Sequence, residues 1–158
     1  GAAGLAGSWS ITEIMTVQGD LGPFIIFQPL GFVLAVVGLI GKLKRDPLDI
    51  PSAKSEVVGG SLTEFSGAKL AFWHLVMNIQ AVVGIFLLIN LYLGWTKLSH
   101  PVLSIGIFLV ESLVMVVVLS GASAVFARLR IDQLAGLGWR ILVPLGLLQL
   151  GFVILMGV

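Results

Sequence analysis

Apolar and polar positions alternate along this chain in long blocks, not residue by residue. Four blocks, 23–41, 70–94, 102–127 and 141–158, are almost free of charge. Each approaches the roughly 20 apolar residues that a helix needs to cross a bilayer. Polar segments at 42–69, 95–101 and 128–140 separate them. Lipid offers the backbone no hydrogen-bond partner, so apolar blocks of this length predict helices and not open strands. The expected fold class is all-α integral membrane: four transmembrane helices, a long cytoplasmic loop at 42–69 and a shorter one at 128–140. With no internal repeat or low-complexity linker, residues 1–158 read as one membrane domain.

The region ahead of the first block has a different pattern. Ser10-Ile-Thr-Glu13 has the spacing of a capping box, and Ile11, Ile14, Met15 and Val17 make an apolar stripe. Residues 8–18 therefore predict a short amphipathic helix lying at the outer surface. Residues 1–7, Gly-Ala-Ala-Gly-Leu-Ala-Gly, have neither the basic nor the apolar region of a signal peptide. They read as the tail of a helix that begins elsewhere, as in a split gene or a partial chain; loss of an initiator methionine ahead of glycine is the alternative.

Composition sharpens the class. Of 158 residues, 58% are hydrophobic and 11% charged, and the mean hydropathy is +1.10. Soluble domains carry about a quarter charged residues, so this is a membrane protein. The net charge of +1 gives no reason to expect nucleic acid as a partner. With no cysteine and two widely separated histidines, neither a thiolate-held cluster nor a metal centre is expected. Any redox cofactor must then sit in a partner, and no catalytic centre is expected in this chain.

The basic residues orient it. Lys42, Lys44, Arg45, Lys54 and Lys69 belong to the first polar segment and Arg128, Arg130 and Arg140 to the third, leaving Lys97 alone on the opposite side. The positive-inside rule makes segments 42–69 and 128–140 cytoplasmic and the chain a multi-pass protein of the cell membrane.

Within the apolar blocks a few polar residues stand out. Glu111 lies deep in the third block, where a charged carboxylate costs at least a few kcal/mol. It must face protein or water, or stay protonated. An ion or proton relay is one reading; a structural carboxyl bonded to a neighbouring helix is the other. His74 and Asn78 share a helix face at i, i+4 near the cytoplasmic end, joined there by Gln80. They read as a hydrated extension of the polar loop or as interhelical hydrogen-bond partners. Gln28, Asn90 and Gln149 read as interhelical partners only.

The long polar segment concentrates acids. Asp46-Pro-Leu-Asp-Ile-Pro51 holds two prolines in six residues and excludes regular helix there. Asp46, Asp49, Glu56 and Glu64 crowd around Lys54, and Glu56 and Glu64 would stand roughly 12 Å apart on a helix. Clustered carboxylates raise one another's proton affinity, which suits a relay. A loop kept wet by its charges is the alternative.

This segment resembles the signature loop of the quinone-site membrane subunit of respiratory complex I, the H-subunit family, approximately Arg-x-Pro-Phe-Asp-Leu-Pro-Glu-Ala-Glu-Ser-Glu-Leu-Val-x-Gly-x-x-Thr-Glu-Tyr-Ser-Gly. The chain agrees at Arg45, Pro47, Asp49, Pro51, Ala53, Ser55, Glu56, Val58, Gly60, Thr63, Glu64, Ser66 and Gly67. A second stretch, 128–145, is similar to the family's late Arg-x-Arg-x-Asp-Gln-Leu-x-x-Leu-Gly-Trp-Lys segment, and residues 10–18 resemble the amphipathic segment before the loop. The likeness covers most of this chain but about the C-terminal half of a typical member. Ser52 and Lys54 depart from the pattern: quinone-reducing members carry two glutamates there. The departure favours the branch of energy-converting, group 4 membrane-bound nickel–iron hydrogenases and related sulfur-reducing complexes.

That resemblance implies a non-redox membrane anchor and coupling subunit of a ferredoxin-linked complex. Its implied partners are hydrogenase-like large and small subunits of a peripheral arm, antiporter-like membrane subunits, the N-terminal half of the same family fold and the bilayer. Iron–sulfur clusters, and nickel–iron in the hydrogenase branch, would sit in the peripheral arm. Asp46, Asp49, Glu56 and Glu64, with His74, would relay protons or ions beneath it and Glu111 would carry them inward, while Arg45, Lys54, Arg128, Arg130 and Asp132 would shape the loop and dock the arm. Two other functions stay open: a quinone-binding membrane subunit of a complex I-type oxidoreductase, and a structural anchor or small transporter.

Overall fold

The computed structural model describes residues 2–43, 48, 66–94, 101–125 and 131–155. Every regular element among them is helical: α1 (Ala2–Ala6), α2 (Ile11–Leu21), α3 (Phe24–Phe27), α4 (Pro29–Lys42), α5 (Ala68–Tyr92), α6 (Pro101–Val125), α7 (Ile131–Leu137) and α8 (Val143–Leu155). Three helices are long and apolar enough to cross a membrane: Ala68–Tyr92, Val102–Val125 and Asp132–Leu155. They make this a multi-pass membrane protein, helical in every regular element of the described residues, with three such helices where the apolar blocks predict four.

The first predicted span, 23–41, is not one helix. It breaks at Gln28, whose backbone sits at φ −135°, ψ 60°, between the single turn of α3 and the 14 residues of α4. The cause is Pro29: its ring disfavours helical geometry in the residue before it, and it has no N–H to donate back to Ile25. Alone, α4 measures about 21 Å, less than the roughly 30 Å of a hydrocarbon core.

Within the predicted loop at 128–140, the described residues from 131 onward are helical instead. Residues 131–137 form α7, and a π-helical turn, Gly138–Leu142, joins it without interruption to α8. Nothing in Leu134-Ala-Gly-Leu-Gly-Trp139 stops a helix; the scattered charges suggest a loop only to a hydropathy window. Pro144 then sits in the first turn of α8. A proline clashes with the carbonyl four residues back, here Arg140, and a widened turn just upstream accommodates it.

In the region predicted as an amphipathic helix at 8–18, α2 runs over Ile11–Leu21 and lacks the predicted capping box. Ser10 takes the N-cap position, yet its side chain makes no cap bond. Its backbone N–H instead donates to Ser8 Oγ at 3.1 Å. Of the predicted stripe, Ile14 is buried, Met15 and Val17 are partly buried and Ile11 is exposed.

Packing follows the small residues. Helix α4 lies along α5, with Leu39 seated over Gly84, where a methyl group would collide with it. Phe32 and Tyr92 meet edge to face, their rings 5.6 Å apart. Helix α6 returns along α5 in a register set by Phe86 and Phe108, 4.9 Å apart. Helix α8 packs against α4 and α1, with Val153 over Gly4. The buried core thus runs through Ile14, Phe24, Leu39, Ile85, Ile89, Met115 and Leu119.

At the start of α5, Gly67 holds φ 59°, ψ −129°, a conformation that essentially only glycine adopts. Leu48 packs back onto the core beside Gly41.

The Leu39–Gly84 contact gives a direct test of this packing. Gly84→Leu should cost roughly 1–3 kcal/mol by overpacking and lower the thermal unfolding midpoint in detergent. Gly38→Leu, on the open face of α4, should leave that midpoint close to the parent value.

Candidate functional site

The residues at i, i+4 and i+8 on α6 are Glu111, Met115 and Leu119. Met115 and Leu119 are buried in the core, so the shared stripe turns Glu111 toward the bundle. Glu111 is half-buried, and its Oε2 is buried without a hydrogen-bond partner among the described residues. Its neighbour Ser112 satisfies itself, donating to the Phe108 carbonyl at 2.7 Å.

A cleft of about 180 Å³ opens between α4, α5 and α6, lined by Leu43, Asn78, Ala81, Val82, Ile85, Val116 and Leu119. It lies toward the ends of α4 and α5 that the acidic segment joins. Leu43 directly follows α4 at that end, and Val116 is about 7–8 Å along α6 from Glu111. Asn78 is the polar side chain in its wall. One turn closer to the segment, His74 is exposed on the same helix and does not line the cleft. Asp132 is exposed in the first turn of α7.

The structure thus brings Asn78 and the stripe of Glu111 to one interface, with His74 and Asp132 outside it. Asp46, Asp49, Glu56, Glu64, Arg45, Lys54, Arg128 and Arg130 lie outside the described residues. Among the described residues no group of three His, Cys, Asp or Glu side chains could hold a metal ion.

Sequence reasoning passed over Gln18. It is 2% exposed, and its Nε2 donates to the Asn90 carbonyl at 3.1 Å and to the Leu91 carbonyl at 2.9 Å. These belong to the last turn of α5, where helical carbonyls have no intrahelical donor. The Ile89 carbonyl in the same turn takes the backbone N–H of Leu93 and of Gly94. Gly94 leaves room for the glutamine: a Cβ there would overlap its amide. The available signal was the spacing, since Gln18 follows Ile14 by four residues on the inward stripe.

A helical bundle of apolar segments long enough to cross a membrane, with a carboxyl turned inward, defines a multi-pass membrane protein. A family model described as NADH dehydrogenase matches residues 1–154, and the chain belongs to that family. This bears out the resemblance to the H subunit of complex I. The H subunit of NADH-quinone oxidoreductase from Dehalococcoides mccartyi (strain 195) is 34% identical over 152 residues, covering 95% of this chain and 42% of the relative. Its counterpart in Geobacillus kaustophilus is 35% identical over 153 residues, 92% of this chain and 44% of the relative. The H subunit of F(420)H(2) dehydrogenase from Methanosarcina acetivorans is 32% identical over 162 residues, 97% of this chain and 46% of the relative. The chain spans less than half the length of these curated relatives.

Gln18→Leu should remove two buried hydrogen bonds and leave the end of α5 uncapped, a loss of about 1–3 kcal/mol. Amide hydrogen exchange should accelerate across residues 11–21 while residues 81–89 keep their protection. Equal acceleration in both segments would mean that Gln18 holds more than this one contact.

Proposed function

We propose that this chain is the membrane anchor and coupling subunit of a multisubunit oxidoreductase, linking electron transfer in a peripheral arm to proton or sodium translocation. The observation that carries the proposal is Glu111. A buried carboxylate oxygen in a membrane helix costs at least a few kcal/mol, and a relay group justifies that cost. The cleft lined by Leu43, Asn78 and Val116 lies between the level of Glu111 and the end of α4 that leads into the acidic segment. Asp46, Asp49, Glu56 and Glu64, with His74 on the exposed face of α5, would take up or release protons beneath the arm. Arg45, Lys54, Arg128, Arg130 and Asp132 would hold the arm in place. In this reading segment 42–69 faces the cytoplasm, as does the stretch around 128–140, because eight of the nine basic residues lie in them.

The branch is read from the loop. Ser52 and Lys54 stand where quinone-reducing members of the family carry glutamates, which supports a ferredoxin-linked complex, a membrane-bound hydrogenase or a sulfur reductase. Iron–sulfur clusters, with nickel–iron in the hydrogenase case, would then belong to hydrogenase-like large and small subunits, and the pumped ion would pass to antiporter-like subunits. The second reading, a quinone-binding subunit, draws on the names of relatives such as the NADH-quinone oxidoreductases.

Experiments on the assembled complex in sealed vesicles test these readings. Glu111→Gln keeps the shape and removes the titratable proton. It should cut ion translocation at least tenfold while electron transfer, measured under uncoupled conditions, falls less than threefold. Equal loss of both would defeat the coupling role. Glu56→Gln and Glu64→Gln should each slow or uncouple turnover without changing assembly, and full pumping by both would end the loop relay. A quinone-site inhibitor separates the branches: turnover that ignores it supports the ferredoxin-linked reading, and inhibition supports the quinone reading.

A further inference from the structure

The register of α5 against α6 sets what lies on either side of Glu111. Phe86 of α5 meets Phe108 of α6, with ring centroids 4.9 Å apart and planes tilted by 59°. The two helices run in opposite directions. Three residues forward from Phe108 to Glu111 on α6 therefore match three residues back from Phe86 to Val83 on α5. Glu111 stands about one turn, roughly 5 Å, from the aromatic pair, on the side of the acidic segment.

The two directions along this interface differ. Toward the acidic segment lies the cleft of about 180 Å³, with Asn78 in its wall. Toward the far end the ring pair comes first. Leu88 and Ile89 follow, 6% and 1% exposed, and then Gln18, tied to the end of α5. Between the level of Glu111 and the rings neither helix offers a free polar side chain. The Ser112 hydroxyl is spent on the Phe108 carbonyl at 2.7 Å. The next polar side chains outward, Asn90 and Ser104, lie level with each other beyond the rings, and Asn90 donates to the Phe86 carbonyl at 2.9 Å. A proton leaving Glu111 that way must pass two rings that neither donate nor accept. Hydrophobic constrictions of this kind exclude water and stop ions.

We propose that Phe86 and Phe108 form the barrier that closes Glu111 off from the far side of the membrane, so that its carboxyl exchanges protons only toward the acidic segment. The inference rests on the reading of Glu111 as a relay group, since a relay open to both sides would short-circuit the translocation it serves. The charged and titratable groups on the neighbouring helices stand away from this level. Lys69 and His74 of α5 and Lys42 of α4 lie toward the acidic segment, and Tyr92 of α5 toward the far end. His74 and Tyr92 are each roughly 13 Å along the axis from Glu111.

Sealed vesicles holding the assembled complex, at rest without an electron donor, give the test. Dicyclohexylcarbodiimide labels protonated carboxyls within a membrane, and mass spectrometry locates the label. With pH set separately on the two sides, labelling of Glu111 in the parent should follow the side of the acidic segment and ignore the other. Phe108→Ala should make labelling follow both sides and raise passive proton leak at least threefold, whereas Phe108→Leu, which keeps the site apolar, should behave as the parent. Phe86 is 38% exposed, so Phe86→Ala should open the same leak with less disturbance of the core. Adding Glu111→Gln to Phe108→Ala should return the leak to the parent level. Parent labelling that follows the far side or neither side, tight vesicles with both alanine variants, or an excess leak that survives Glu111→Gln would each overturn the proposal. Pumping during turnover is measured separately. If Glu111→Gln abolishes pumping while both alanine variants stay tight, the barrier falls and the coupling function stands; if Glu111→Gln pumps normally, the relay reading itself falls.

Discussion

A bilayer interior supplies no hydrogen bonds, so polar groups within it depend on partners inside the protein or its assembly. That constraint accounts for the helical character of every regular element among the described residues. It also accounts for their irregularities. At the end of α5 the carbonyls of Asn90 and Leu91 take their donor from Gln18, which reaches across from α2. The break at Gln28–Pro29 and the π turn before Pro144 are places where proline removes a backbone bond, and the chain bends or widens around the loss.

The same constraint gives Glu111 its meaning. Its position among Val and Leu would carry no information in a soluble helix, where a carboxylate can turn to water. Here Met115 and Leu119 fix which way its stripe faces, and the α5–α6 register set by Phe86 and Phe108 fixes its level against α5. The cleft at Asn78 lies on the side of the acidic segment. This packing brings Asn78 and the stripe that carries Glu111 to one interface.

Elements with a strong period or a long apolar run were legible from residues alone. The two central spans, α5 and α6, fall within a few residues of the blocks that predict them. The loop motif points to the family because its prolines, acids and glycines recur at fixed spacing; the φ of 59° at Gly67 gives one of those positions a physical reason. Other features were not legible for local reasons. A hydropathy window averages over Gln28 and Pro29 and reports one span where the backbone makes two pieces. It reads Arg140 and Asp132 as loop, although neither breaks a helix. The Ser10–Glu13 spacing permits a capping box, but Ser8 competes for the same N–H and takes it.

The sequence by itself determined the solvent and hence the class. A chain 58% hydrophobic, with four nearly charge-free blocks, excludes a water-soluble fold, and its loop motif names the family. Tertiary structure alone decided which polar residues matter to one another. Gln18 and Asn90 are 72 positions apart, and Gly84 and Leu39 are partners because two helices cross there. No local pattern encodes such pairs. Side-chain shape and helix register select them, and only the packed bundle has both.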